Sequence, residues 1–124
     1  SEVSAGELLD KISILEIKLE KIKDSNNLEE VKKEYKILKK TQSTFVKLED
    51  RVKELFIKLK KVNLKLWNVE DKLRICEKNK NYGKGFIKLA REVYFNNDER
   101  SKIKLEINKL LGSTIREVKQ YVDY

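Results

Sequence analysis

The 124-residue sequence has no histidine and no proline, and only one cysteine, one tryptophan and four glycines. Without histidine, a Ser-His triad, an imidazole base and a His-ligated metal site are all excluded. Without proline, and with so little glycine, there is little to break a helix. One cysteine, Cys76, cannot close an internal disulfide, which fits a reducing cytosol. Its place on an apolar stripe fits an inert buried thiol, with a reactive or intermolecular thiol as the alternative. Long apolar runs are missing too, and no window approaches the roughly 20 residues of a membrane span. The first residues are acidic at once (Glu2, Glu7, Asp10) and lack the basic-then-apolar layout of a signal peptide. The expectation is a cytoplasmic chain with no membrane span.

What is abundant is charge, at 40% of residues, and one apolar ladder. Phe45, Leu48, Val52, Leu55, Leu59, Val62, Leu66, Val69, Leu73 and Cys76 alternate steps of 3 and 4 with no Gly or Pro among them. That heptad-type spacing predicts one long helix over about 44–78, greasy along one edge. Such a rod needs other helices, or a second copy, to cover that edge.

The formal charge of +8 suggests nucleic acid, but both signs are mixed along the chain and no run exceeds two adjacent lysines. Phosphate backbones are bound by several cations on one surface. Lys47, Arg51, Lys58, Lys61, Lys65 and Lys72 form a partial lysine face, equally explained as a solvated outer surface. The loop from Lys78 to Gly85, with its Lys, Tyr and Gly, is either a phosphate contact or a flexible connector. Against the many lysines stand five arginines: Arg51, Arg74, Arg91, Arg100 and Arg116. Each is a candidate for a task that needs a planar guanidinium.

Along the chain, Ser4 with Glu7 forms a capping box, and Val3 with Leu8 the matching staple. Leu8, Ile12, Leu15, Leu19 and Ile22 make the stripe of a first helix. Ile14 and Ile17 lie opposite, so that helix is expected to be sandwiched. A turn at Asp24–Asn27 leads to a second helix, antiparallel, with Asn27 and Glu30 as its cap pair and Leu28, Val31, Tyr35 and Leu38 inward. A slip in spacing at Thr41–Thr44 predicts a break. After the loop, a short helix Phe86–Phe95 is expected with Phe86, Leu89, Ala90 and Val93 inward. Asn96 and Glu99 then cap a final helix carrying Ile103, Ile107, Leu110, Leu111, Ile115, Val118 and Val122, to about Tyr121.

No Walker loop or dinucleotide fingerprint occurs, and Gly83-Lys84-Gly85 is too short to count. Glu7 with Asp10 and Glu70 with Asp71 are acidic pairs of the kind magnesium-dependent helical hydrolases use, but two facing clusters are not otherwise present. Chorismate-mutase-like chemistry would need several cations in a bundle core. The constellation that stands out is Asn63, Trp67, Glu70 and Arg74, a second stripe beside the ladder that Phe56 begins. Glu70 precedes Arg74 by four residues, the favourable order for an ion pair. This stripe is either a polar pocket or partner-docking patch, or plain packing of Trp67 with an Arg74–Glu70 pair. Arg91, Tyr94, Asn96, Asn97, Asp98 and Arg100 form a second polar group, for which capping is the simpler account.

Three segments together carry a resemblance: EVSAGELLDKISILEIK at 2–18, VNLKLWNVED at 62–71 and LAREVYFNNDER at 89–100. They resemble a family of small bacterial helical proteins of unknown function, over nearly the whole chain. The resemblance implies stand-alone cytoplasmic proteins and supplies no activity or cofactor. It implies that Asn63, Trp67, Glu70, Arg91 and Arg100 belong to shared motifs.

The expectation is an all-α, elongated helical bundle in one domain, 1–124. Its long central helix is packed by an N-terminal helical hairpin and by C-terminal helices. The function expected is a non-catalytic protein-interaction or assembly module, with no cofactor, no metal and no catalytic residue. Excess apolar faces (Ile14, Ile17, Leu105) point to a homodimer. The alternative is a small anionic-ligand site, possibly enzymatic, built from Asn63, Trp67, Glu70, Arg74, Arg91 and Arg100. Non-specific nucleic-acid binding comes third.

Overall fold

Four helices build the described residues: α1 (Ala5–Lys21), α2 (Ser25–Phe45), α3 (Asp50–Lys78) and α4 (Lys84–Leu110). The computed structural model describes residues 4–112. The architecture is an all-α bundle, and no strand occurs among the described residues. The expected start of α1 is present: Ser4 Oγ accepts from the Glu7 amide at 3.1 Å. A second donor of that first turn, the Gly6 amide, is satisfied from another helix, by Asn108 Oδ1 at 2.7 Å.

α1 packs against all three other helices, whereas α2 packs chiefly on α1. That is why α1 is apolar on two sides. Leu8, Leu9 and Ile12 enter a core with Val52, Leu55 and Leu59 of α3 and Ile103 and Ile107 of α4. Ile17 is also buried, at 1% exposure, and Ile14 is half-buried. Their faces are therefore covered within the chain itself, and of the residues that motivated a dimer only Leu105 stays exposed.

Gly6 sits where α1 meets α4. A Cβ built there would lie 2.6 Å from the Lys104 carbonyl oxygen and 2.8 Å from Asn108 Oδ1. The first of these is backbone and cannot swing away. Gly6→Ala is expected to destabilise the fold by about 1–3 kcal/mol, the usual range for overpacking, measured by urea unfolding. A loss below a few tenths would show that the two helices can part freely.

Three boundaries differ from the sequence expectation. The break between α2 and α3 falls at 46–49, not 41–44, so the long helix begins at Asp50 and Phe45 and Leu48 lie outside it. Thr41, Ser43 and Thr44 lie within the helix, each hydroxyl donating to the carbonyl four residues earlier and so accommodated without ending it. The cap of α2 is Asp24, whose carboxylate accepts from the Asn26 amide at 3.1 Å, rather than Asn27. The short helix and the final helix are one. Asn96 donates its side-chain amide back to the Glu92 carbonyl at 2.7 Å instead of capping. Phe86, Leu89, Val93, Asn96, Arg100, Ile103 and Ile107 keep an unbroken 3–4 spacing along α4. The expected inward positions at Ile115, Val118 and Val122 lie outside the described residues.

α3 and α4, of 29 and 27 residues, form a long antiparallel hairpin. Its turn is a Schellman closure: Asn81 N–H reaches the Cys76 carbonyl at 2.8 Å and Lys80 N–H the Glu77 carbonyl at 3.1 Å. Lys80 takes the left-handed position, φ 53°, that glycine usually fills. Only the half of the hairpin near α1 is fully packed. Buried residues of α3 end at Val69, and those of α4 begin at Ile103. Between them Leu73, Cys76, Phe86, Leu89 and Val93 are only half-buried, so Cys76 is not the fully buried thiol expected.

Candidate functional site

A polar cluster lies inside the apolar contact of α1, α3 and α4. Asp10 and Ser13 stand one turn apart on α1, 2% and 0% exposed. Asn63 projects from α3 between them, donating through Nδ2 to Asp10 Oδ1 at 2.9 Å and to Ser13 Oγ at 2.7 Å. The Ser13 hydroxyl itself donates to the Asp10 carbonyl at 2.7 Å. From α4, Arg100 grips the Asp10 carboxylate with both Nε (2.9 Å to Oδ1) and Nη2. Arg100 points inward because it holds a position in the 3–4 seam of α4. One turn on, Lys104 pairs with Glu7 and stands 4.0 Å from Asp10.

Electrostatics follow from this geometry. Burial pushes the Asp10 carboxyl up, but bonds from Arg100 and Asn63 and the charges of Arg100 and Lys104 outweigh it. The carboxyl is held below its ordinary value. Arg100 is held above its own by the hydrogen bond to Asp10, which outweighs the opposing effect of burial. No buried side-chain polar atom among the described residues lacks a partner. Asp10 is thus a buried carboxylate held in its charged form and paired with Arg100. It accepts two hydrogen bonds at Oδ1 and one at Oδ2, from α3 and α4, and so ties three helices together. Ser13 is sealed from solvent and bonded to groups that cannot activate it.

Beside this cluster opens a cleft of about 170 Å³, lined by Ile14, Ile17, Asn63, Leu66, Trp67, Glu70, Asn97 and Arg100. It unites four of the six residues singled out from the sequence. Trp67 is half-buried in its wall and Glu70 sits at its exposed rim. Arg74 and Arg91 are elsewhere. Arg74 is exposed and pairs with Asp71 at 3.4 Å, one residue from the Glu70 partner expected. Arg91 lies over the Phe95 ring, 5.5 Å from its centroid, on the outer face of α4.

A second ionic group ties α1 to α3: Lys60 reaches Glu16 and Glu20, each at 3.1 Å. Tyr35 of α2 donates to Glu16 at 3.2 Å. Among the described residues no group of His, Cys, Asp and Glu could hold a metal ion. The acidic pairs noted in the sequence do not converge, since Glu7 and Asp10 are taken up by Lys104 and Arg100.

Asp10 and Ser13 were not singled out as partners of Asn63 and Arg100. The usable signal was an acid on a helix face otherwise filled by Leu9 and Ile12, together with an arginine in the α4 seam. Each implies a buried partner.

A family model matches residues 1–123, described as a family of unknown function (DUF6165). No curated protein and no solved structure matches the chain.

Proposed function

We propose, given that the chain belongs to this family of unknown function, that it is a non-catalytic protein-interaction or assembly module. In this reading the buried Asp10–Asn63–Arg100 cluster braces the base, and the outer half of the α3–α4 hairpin is the working surface. The observation that carries it is the placing of exposed apolar groups. Ile75, Tyr82, Ile87, Tyr94 and Phe95 are each at least half exposed, and all lie on the stretch that α1 leaves uncovered. Scattered apolar residues are ordinary on a surface, but several gathered on one projection mark a contact area. Asn63 and Arg100 are meanwhile spent on bonds to Asp10.

The test replaces Ile87 and Phe95 by Ser together. Both are exposed, so helicity and unfolding temperature are expected to stay at wild-type values. Retention of cellular material on the immobilised protein is expected to fall several-fold. Equal retention by wild type and variant would remove the reading.

A second reading rests on the cleft, where Trp67, Asn63, Glu70 and Arg100 do come together. It would take a small anion. Its volume is below the roughly 300–1,000 Å³ of ordinary ligand pockets. Arg100 is already neutralised by Asp10, and Glu70 adds negative charge at the rim, so the first reading is preferred. Trp67, the only tryptophan, reports directly: a saturable fluorescence change with phosphate, sugar phosphates or carboxylates would reverse that preference.

A further inference from the structure

We infer that the tip of the α3–α4 hairpin docks on an anionic lipid bilayer surface; this rests on the reading above that the outer half of the hairpin is a docking surface, and gives it a bilayer as occupant beside any protein partner. Between residues 78 and 91 the chain carries Lys78, Lys80, Lys84, Lys88 and Arg91 and no carboxylate. All five are exposed. Elsewhere the inter-helix cations are matched: Lys60 to Glu16 and Glu20, Arg100 to Asp10, Lys104 to Glu7 and Arg51 to Glu54 and Glu106. Among the described residues Lys78, Lys80, Lys84 and Lys88 have no acidic partner, and Arg91 faces a phenyl ring. The acids nearest in sequence are Glu77 and Glu92, and Glu92 shares the α4 face with Lys84, Lys88 and Arg91. Unpaired lysines occur elsewhere on the bundle too, but here five exposed cations stand in 14 residues without an acid among them, at one end of the hairpin.

Apolar groups are interleaved with these cations. Tyr82 stands edge-on to Phe86 with ring centroids 5.3 Å apart. Lys84, Ile87, Lys88, Arg91 and Phe95 follow one another at helical spacing along α4. The shallow depression there is lined by α4 alone, so it is an open helix face and not a groove between two helices. A partner helix or peptide is usually held in a groove between elements. A bilayer instead accepts an open basic helix face, with phosphates taking the lysines and the headgroup boundary taking Ile, Phe and Tyr. Nucleic acid would use the cations but leave Ile87 and Phe95 without a role. A second copy would bring like charges together at the same face.

Co-sedimentation with vesicles tests this. The full chain is expected to bind vesicles of phosphatidylcholine mixed with phosphatidylglycerol, not phosphatidylcholine alone, and to be released by raised salt. Lys80→Gln, Lys84→Gln and Lys88→Gln combined should weaken binding at least tenfold, since each cation near a charged bilayer is worth about fivefold. Helicity should be unchanged, because none of the three holds the fold together. Ile87→Ser with Phe95→Ser should weaken binding as well.

Absence of binding to the mixed vesicles, equal binding to neutral ones, or full binding by the triple variant would overturn the inference. So would retardation of RNA at physiological salt by a protein that ignores vesicles. If vesicles fail while Ile87→Ser with Phe95→Ser still abolishes retention of a protein partner, the lipid assignment falls and the docking surface stands. If neither responds, both fall.

Discussion

Asp10→Ala is expected to destabilise the protein by about 3 kcal/mol. Removing one member of a buried ion pair costs about 3–5 kcal/mol, because the partner is left charged and unmatched. Here the lower end applies, since the Arg100 side chain is 28% exposed and can turn partly to water. Asn63 and Ser13 cannot, and Asn63 loses one of its two acceptors. Denaturant unfolding at neutral pH measures the loss. Asp10→Asn combined with Arg100→Met should cost less than the sum of the two single changes, because the second removes the charge the first strands.

The same pair sets an acid limit on stability. The folded Asp10 carboxyl titrates below its ordinary value of 3.8. The folded chain therefore holds this proton less readily than the unfolded chain does. The contribution is present in full above the unfolded value and is lost as pH falls from there through the lower, folded value. Wild type should lose stability steeply in that window, and Asp10→Ala should show a shallower decline. Parallel acid profiles, or an Ala variant as stable as wild type, would mean that Asp10 does not fasten the bundle.

Leu59→Ala and Leu73→Ala are expected to differ widely although both residues lie on the same ladder. Leu59 is 0% exposed, among α1, α3 and α4 side chains. Its truncation removes apolar contact and leaves a cavity that three helices cannot collapse, about 3–4 kcal/mol. Leu73 is half-buried, beside Phe86 and Ala90 on the two-helix part of the hairpin. With water on one side, no closed cavity forms, and about 1 kcal/mol is expected. Thermal or urea unfolding of the two variants side by side is the measurement. Equal losses would show that the outer half of the hairpin is packed as fully as the base. The case for a docking surface there would go with it.

This contrast shows how far the sequence could be read. The ladder spacing correctly announced α3 as a long helix, and the Ser4–Glu7 box correctly announced α1. Both are local signals, set by side chains a turn apart on one helix. The break at 46–49 was displaced by a turn, because hydroxyl groups at Thr41–Thr44 can bond back along a helix as readily as they can end one. Asn96 misled in the same way: an amide can cap a new helix or bond back into the old one, and the α4 seam decided for the second. Of the site residues, Asn63, Trp67 and Glu70 could be grouped because they share a stripe. Arg100 lay on a different helix, and nothing local placed it against Asp10.

By itself, then, the sequence determined that the chain is helical, where α1 and the long α3 run, and that histidine-based chemistry is excluded, because these follow from composition and from periodicity within single helices. Tertiary structure alone decided which helices enclose α1, that Asp10 is paired with Arg100 ninety residues away, and that Arg74 and Arg91 stay apart from the Trp67 cleft. The physical reason is that an apolar face or a charge states its need for a partner locally, while the identity of that partner is chosen only when the helices pack.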